Sequence, residues 1–172
     1  MTGRETKRIS DLVRLLEEIS SCHETLGGVV QSKIDAMRRA DMDGMRMVIR
    51  KEHQLVRRIH ECEGLRRQLT DAIGQQMGLP AGRARSMTLS QLADRLSEAE
   101  GQKLKSVAGK LREALSQVVR LNRLAGAISA RVLGHLKAVF DSVATDGDRS
   151  VGYSGSGRPV TVRDSRLLEA VG

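Results

Sequence analysis

The residues Leu104, Ala108, Leu111, Leu115, Val118, Asn122, Ala125, Ser129, Val132, Leu136, Val139 and Val143 follow one another at alternating three- and four-residue steps. That spacing keeps them on one seam of a single helix. A chain that carries so long a seam must fold as packed helices. The seam is apolar except at Asn122 and Ser129. Just beyond its end the sequence becomes glycine-rich and holds the only tyrosine, Tyr153.

Two further stripes precede it. Ile9, Leu12, Leu16, Ile19, His23, Leu26, Val30 and Met37 mark a helix over about 9–40, with Ser10 or Asp11 as its cap. Gly27-Gly28 weakens it, which a bend or a close helix approach would explain. Asp41-Met42-Asp43-Gly44 reads as a turn whose aspartates favour a second helix. That helix spans about 42–77 through Met45, Val48, Ile49, Leu55, Val56, Ile59, Cys62, Leu69 and Ile73, and stops at Gly78 and Pro80. The two should form an antiparallel hairpin, each arm about 45–50 Å long at about 1.5 Å per residue.

Residues 80–87 form a basic loop. Thr88-Leu-Ser-Gln91 fits a capping box and opens a short helix over about 88–100, with Gly101 as hinge to the long helix, about 102–144. The expected fold is all-α: an elongated antiparallel hairpin plus a third long helix, closing a three-helix bundle or coiled coil over 1–144. Residues 145–172 form a flexible Gly/Ser-rich tail, with Ser165 to Val171 able to add a short terminal helix.

Composition agrees. With one Phe, one Tyr and no Trp, the core must be built from Leu, Val, Ile, Met and Ala. The net charge of +8 raises nucleic acid as a partner. The cations are interleaved with acids, however, and no recognition motif or aromatic platform accompanies them, which argues against that role. No run is long enough to insert in a membrane, no signal peptide opens the chain, and two cysteines make no disulfide scaffold. A reduced, cytoplasmic protein is expected.

Chemistry-bearing residues are few. In a hairpin turning near Asp41, Cys22-His23 lies opposite His60-Glu61-Cys62, a zinc-like ligand set. Adjacent helical positions point in different directions, so core filling explains these residues better than a metal. His53, His60 and His135 sit in no phosphoacceptor motif. There is no phosphate loop and no Ser/His/Asp set, so neither an enzyme nor a cofactor is expected. Met37, Met42, Met45, Met47 and Met77 cluster at helix ends, where thioethers fill cores or serve adaptable surfaces. Asn122 either fixes helix register in a core or serves backbone groups of a helix admitted beside Ala125, Gly126, Ser129 and Ala130.

Taken in order, these features resemble the flagellar export chaperones of the FlgN type. The matching residues are Leu12-x3-Leu16-Glu17 and Lys33-Ile34-Asp35-Ala36, then Asp41, Glu52 before Leu55, and Arg66-Arg67. Next come Leu79, Thr88-Leu89, Leu92-Ala93 and Leu121-Asn122-Arg123 with Gly126 and Ile128, and finally Tyr153 with Gly157. Where the family often has a second asparagine this chain has Ala125. The resemblance implies a cytoplasmic chaperone that binds hook-associated proteins, prevents their premature assembly and delivers them to the flagellar type III export gate. It implies a cargo site in the C-terminal part, here the distal half of the third helix and the tail. Asn122, Ile128, Val132, Leu136, Val139, Phe140 and Tyr153 are the candidate partner-binding residues. Phe140 is the anchor, and Tyr153 serves cargo or gate. The rival is a structural coiled coil, which would survive deletion of 145–172. A basic nucleic-acid module, whose binding would collapse with salt, is the weaker rival. The seams are long enough to close within one chain or to pair two copies.

Overall fold

The computed structural model describes the backbone of residues 3–80, 87–147, 151–153 and 159–161, and the side chains of residues 6–80 and 87–143. Among the described residues four helices and two short strands follow in order: α1 (Gly3–Arg38), α2 (Met42–Gln76), α3 (Leu89–Ala93), α4 (Glu98–Gly147), β1 (Val151–Tyr153) and β2 (Pro159–Thr161). Contacts divide the chain into two compact units, Met1–Gly126 and Ala127–Gly172.

In the first unit α1 and α2 form the expected antiparallel hairpin. Arg8 donates to the Ala72 carbonyl, Arg58 meets Glu18, and Lys33 meets Glu52, so rising numbers on one helix face falling numbers on the other. Helix α1 starts at Gly3 rather than near Ile9, so neither Ser10 nor Asp11 caps it. Charged, helix-compatible residues continue the helix ahead of Ile9 without a break. The hairpin turn is built from backbone hydrogen bonds. The amides of Asp41 and Ala40 donate to the carbonyls of Ala36 and Met37, and Ala40 takes φ +53°. That is a Schellman ending with alanine at the left-handed position where glycine is usual. Asp41 then caps α2, its carboxylate accepting from the Gly44 amide at 2.8 Å. The far end of α2 closes in the same way around Gly78, φ +74°.

The short helix expected over 88–100 is confined to Leu89–Ala93. Its capping box is as expected: the Thr88 hydroxyl accepts from the Gln91 amide, and the Gln91 side chain accepts from the Thr88 amide. The chain turns at 94–97, and α4 is already helical at Glu98. Gly101 is therefore no hinge. It lies buried inside α4, where a Cβ would stand 2.6 Å from the Ala93 carbonyl oxygen. The glycine lets the first turn of α4 rest on the end of α3.

Leu12, Leu16 and Ile19 of α1, Cys62 and Ile73 of α2, Leu92 of α3 and Leu104 and Leu111 of α4 meet in one core. Further along, Gly27 faces Val118 and Leu121, whose side chains would lie 3.9 Å from a Cβ placed on it, so α4 runs in the same direction as α1. A side chain there would meet only ordinary van der Waals contact, so Gly27 is not required for a close approach, and α1 continues unbroken through it.

The buried seam of α4 is Leu104, Val107, Leu111, Ala114, Val118, Leu121 and Ala125. The expected seam shared Leu104, Leu111, Val118 and Ala125 but took Ala108, Leu115 and Asn122 between them. The helix is rotated so that each of those three lies one position off the core. Leu115 is exposed, and so is Asn122, which sets no register in this core.

In the second unit β1 and β2 pair antiparallel, Val151 opposite Thr161 and Tyr153 opposite Pro159. These strands lie in the glycine-rich tail expected to be flexible. Three-residue strands containing Gly152 and Pro159 show no alternation to read. The loop residues 81–86 and the helix expected over Ser165 to Val171 lie outside the described residues.

Candidate partner-binding surface

Past Ala125 no residue of α4 with a described side chain is buried. At about 100° per residue, Ile128, Val132, Leu133, Leu136, Val139, Phe140 and Val143 fall within an arc of about 140°. Ile128 is half-buried and the others are exposed: Phe140 is 70% exposed, Leu133 66% and Val143 63%. Placing large side chains in water is costly unless something covers them, and a contiguous exposed stripe marks an interaction surface. Five of the seven residues singled out from the sequence, Ile128, Val132, Leu136, Val139 and Phe140, share this face. Asn122 stands on the first unit, exposed. Tyr153 lies in β1, and its side chain is outside the described residues. Leu133, exposed on the same face, is a further member of the stripe, and its seven-residue spacing to Phe140 is the sequence signal that places it there.

The edges of the stripe are basic. Arg131 and His135 stand on one side and Lys137 on the other, all exposed. Asp141 is the first acid after Glu113. The surface holds neither a nucleophile paired with a base nor a ligand cluster. It can bury an apolar face and pair with charges along its rims.

The first unit offers less. Between α1 and α2 an open groove of about 530 Å3 is lined by Arg8, Asp11, Leu15, Glu18, Leu65 and Leu69 among others. Two of its charges are already engaged: Arg8 with the Ala72 carbonyl, and Glu18 with Arg58 at 3.0 Å. Lys33 and Glu52 pair at 2.6 and 2.7 Å with little exposure, and so pin the two arms together. Cys22 and Cys62 both sit near Glu18. Burial first, and then that carboxylate, raise both thiol pKa values, so neither is an activated nucleophile. Burial lowers the His23 pKa against an opposing pull from Glu63, and its Nδ1 is buried without a hydrogen-bond partner. Among the described residues no group of three or more His, Cys, Asp or Glu side chains is placed to hold a metal ion. No helix there is long and apolar enough to cross a membrane.

A helical hairpin packed with a long helix defines an all-α helical-bundle protein, one that leaves an apolar stripe exposed. The comparison with protein families makes this specific. The family described as FlgN protein matches residues 1–161, and the chain belongs to it. FlgN proteins are flagellar export chaperones, which places this all-α chain in flagellum biogenesis. No curated protein and no solved structure matched the chain.

Proposed function

We propose that this chain binds hook-associated flagellar proteins in the cytoplasm, keeps them from assembling early and hands them to the type III export gate. The observation that carries the reading is the exposed stripe Ile128–Val143, in the C-terminal part of a chain from a chaperone family. Cargo of this kind presents amphipathic helices before assembly, and a helical face can take up their apolar side. Val132, Leu136 and Val139 form the floor of the contact. Phe140, the single phenylalanine, is its anchor. Tyr153, in the paired tail, serves delivery or cargo.

Purified full-length chain and a Val132→Glu/Leu136→Glu variant, tested against purified hook-associated proteins, check this reading. Both positions are exposed, so the variant should keep its helical content and thermal midpoint. Its cargo affinity should drop at least about tenfold, since each buried carboxylate offsets more than the roughly 1.5–3 kcal/mol of a lost apolar contact. Failure of the unaltered chain to bind any hook-associated protein would refute the proposal. A Tyr153→Ala variant that still binds cargo but no longer supports export would assign the tyrosine to delivery.

A further inference from the structure

Resting on that reading, we infer that the segment taken up by the stripe is an amphipathic helix whose apolar face is bordered by aspartates and glutamates. The observation is an asymmetry of charge. Elsewhere in the chain carboxylates are interspersed with the cations, and several pair: Lys33 with Glu52, Arg38 with Asp35, Arg46 with Asp43, Arg58 with Glu18 and Glu61, Arg66 with Glu63, and Lys105 with Asp94. From residue 114 to residue 140 there is no carboxylate at all. The stretch that exposes the apolar stripe is also one in which, among the described residues, Arg131 and Lys137 make no ion pair, with Asp141 the first acid beyond them.

Their position on the helix matters more than their number. Arg131 and His135 border the Ile128–Val132–Val139 edge of the stripe, and Lys137 borders the Leu133–Phe140 edge. These are the places flanking a helix–helix seam, where charges choose the partner and its orientation. A helix laid on the seam brings its own flanking residues within reach of both rims. Carboxylates there meet cations on both sides, whereas lysines or arginines meet like charge. Such rim pairs act on selection and on the rate of encounter more than on final affinity. The apolar floor provides the binding, and the rims discriminate among apolar helices that would otherwise look alike.

The experiment uses the full-length chain and two synthetic helical peptides of about 18 residues, long enough for five turns. They share one Leu/Val seam, with glutamates along both flanks of one and lysines along both flanks of the other. Affinities are read by fluorescence anisotropy. At about 50 mM salt the glutamate peptide should bind about tenfold more tightly, and near 0.5 M the gap should close as screening shortens the reach of the rims. An Arg131→Glu/Lys137→Glu variant, shown to be folded by circular dichroism, should invert the preference. Equal affinities at low salt, a preference for the lysine peptide, or an unchanged preference in that variant would overturn the inference. So would binding to phosphatidylglycerol vesicles or duplex DNA that the variant abolishes, with no binding of the glutamate peptide. If hook-associated proteins bind the unaltered chain and the rim variant alike while neither peptide is preferred, the chaperone reading stands and this inference fails. If the unaltered chain binds the glutamate peptide selectively but no hook-associated protein, the acidic-helix preference stands and the chaperone reading fails.

Discussion

Replacing Gly101 by alanine should destabilise this protein, although the same change at Gly28 should stabilise it. Both glycines lie inside helices, so each substitution gains about 1 kcal/mol of helix propensity. At Gly28 nothing lies within 4 Å of the new methyl group, and the gain stands. At Gly101 the methyl carbon would sit 2.6 Å from the carbonyl oxygen of Ala93. That atom belongs to the backbone at the end of α3 and cannot rotate away, so α3 and α4 must separate. Overpacking of this kind costs about 1–3 kcal/mol. The net change at Gly101 is then between about zero and a loss of 2 kcal/mol. The two variants should differ by about 1–3 kcal/mol, roughly 2–12 °C in thermal midpoint for a chain of this size. Urea unfolding of the pair, with equal slopes, measures the difference directly. Finding Gly101→Ala as stable as Gly28→Ala would show that the link between α3 and α4 is loose, and would refute the close-approach argument.

Three further outcomes are expected. Ala40→Gly should stabilise the hairpin turn by up to about 1 kcal/mol, because glycine takes the left-handed conformation without the penalty of a Cβ; a lower urea midpoint would contradict this. Glu52→Ala should cost about 1–3 kcal/mol by leaving Lys33 poorly solvated and unpaired, and a Lys33→Met/Glu52→Leu double variant should recover much of it in the same assay. His23 binds its proton more weakly in the folded chain than at its ordinary value of 6.5, so acid favours the unfolded state. Its contribution to stability is complete above that value and should be lost as the pH falls through and below it, and a His23→Gln variant should flatten that part of a stability–pH profile.

Much of this fold could be read from residue order because several local signals agreed. Asp41 to Gly44, Gly78 with Pro80, and Thr88 with Gln91 each mark a helix boundary through backbone chemistry that does not depend on the rest of the chain. The rotation of α4 did not follow from such signals. Two overlapping seams share Leu104, Leu111, Val118 and Ala125, and the alternatives Val107 or Ala108 and Ala114 or Leu115 are both apolar. Only packing against α1, where Val118 and Leu121 lie against Gly27, selects between them, and that choice exposes Asn122. Gly101 misled for a related reason: a glycine that ends a helix and one that lets two helices touch look the same in one dimension. Of the candidate surface, the apolar stripe was legible from its periodicity. Its basic rims were not, because a net charge averages over every helix and conceals a segment that lacks carboxylates.

The change in burial along α4 has a kinetic consequence. An isolated helix must pay for its first turn, but the segment beyond Ala125 continues a helix that is already formed, so it needs only propagation. With none of its described side chains buried, its backbone hydrogen bonds should open by fraying, at a free energy far below that of global unfolding. Amide exchange should therefore be slow for Leu104 to Leu121 and progressively faster from Ile128 toward Val143. A binding surface of this kind is repeatedly remade from its own anchored end, and a bound partner would register as protection spreading outward along the helix.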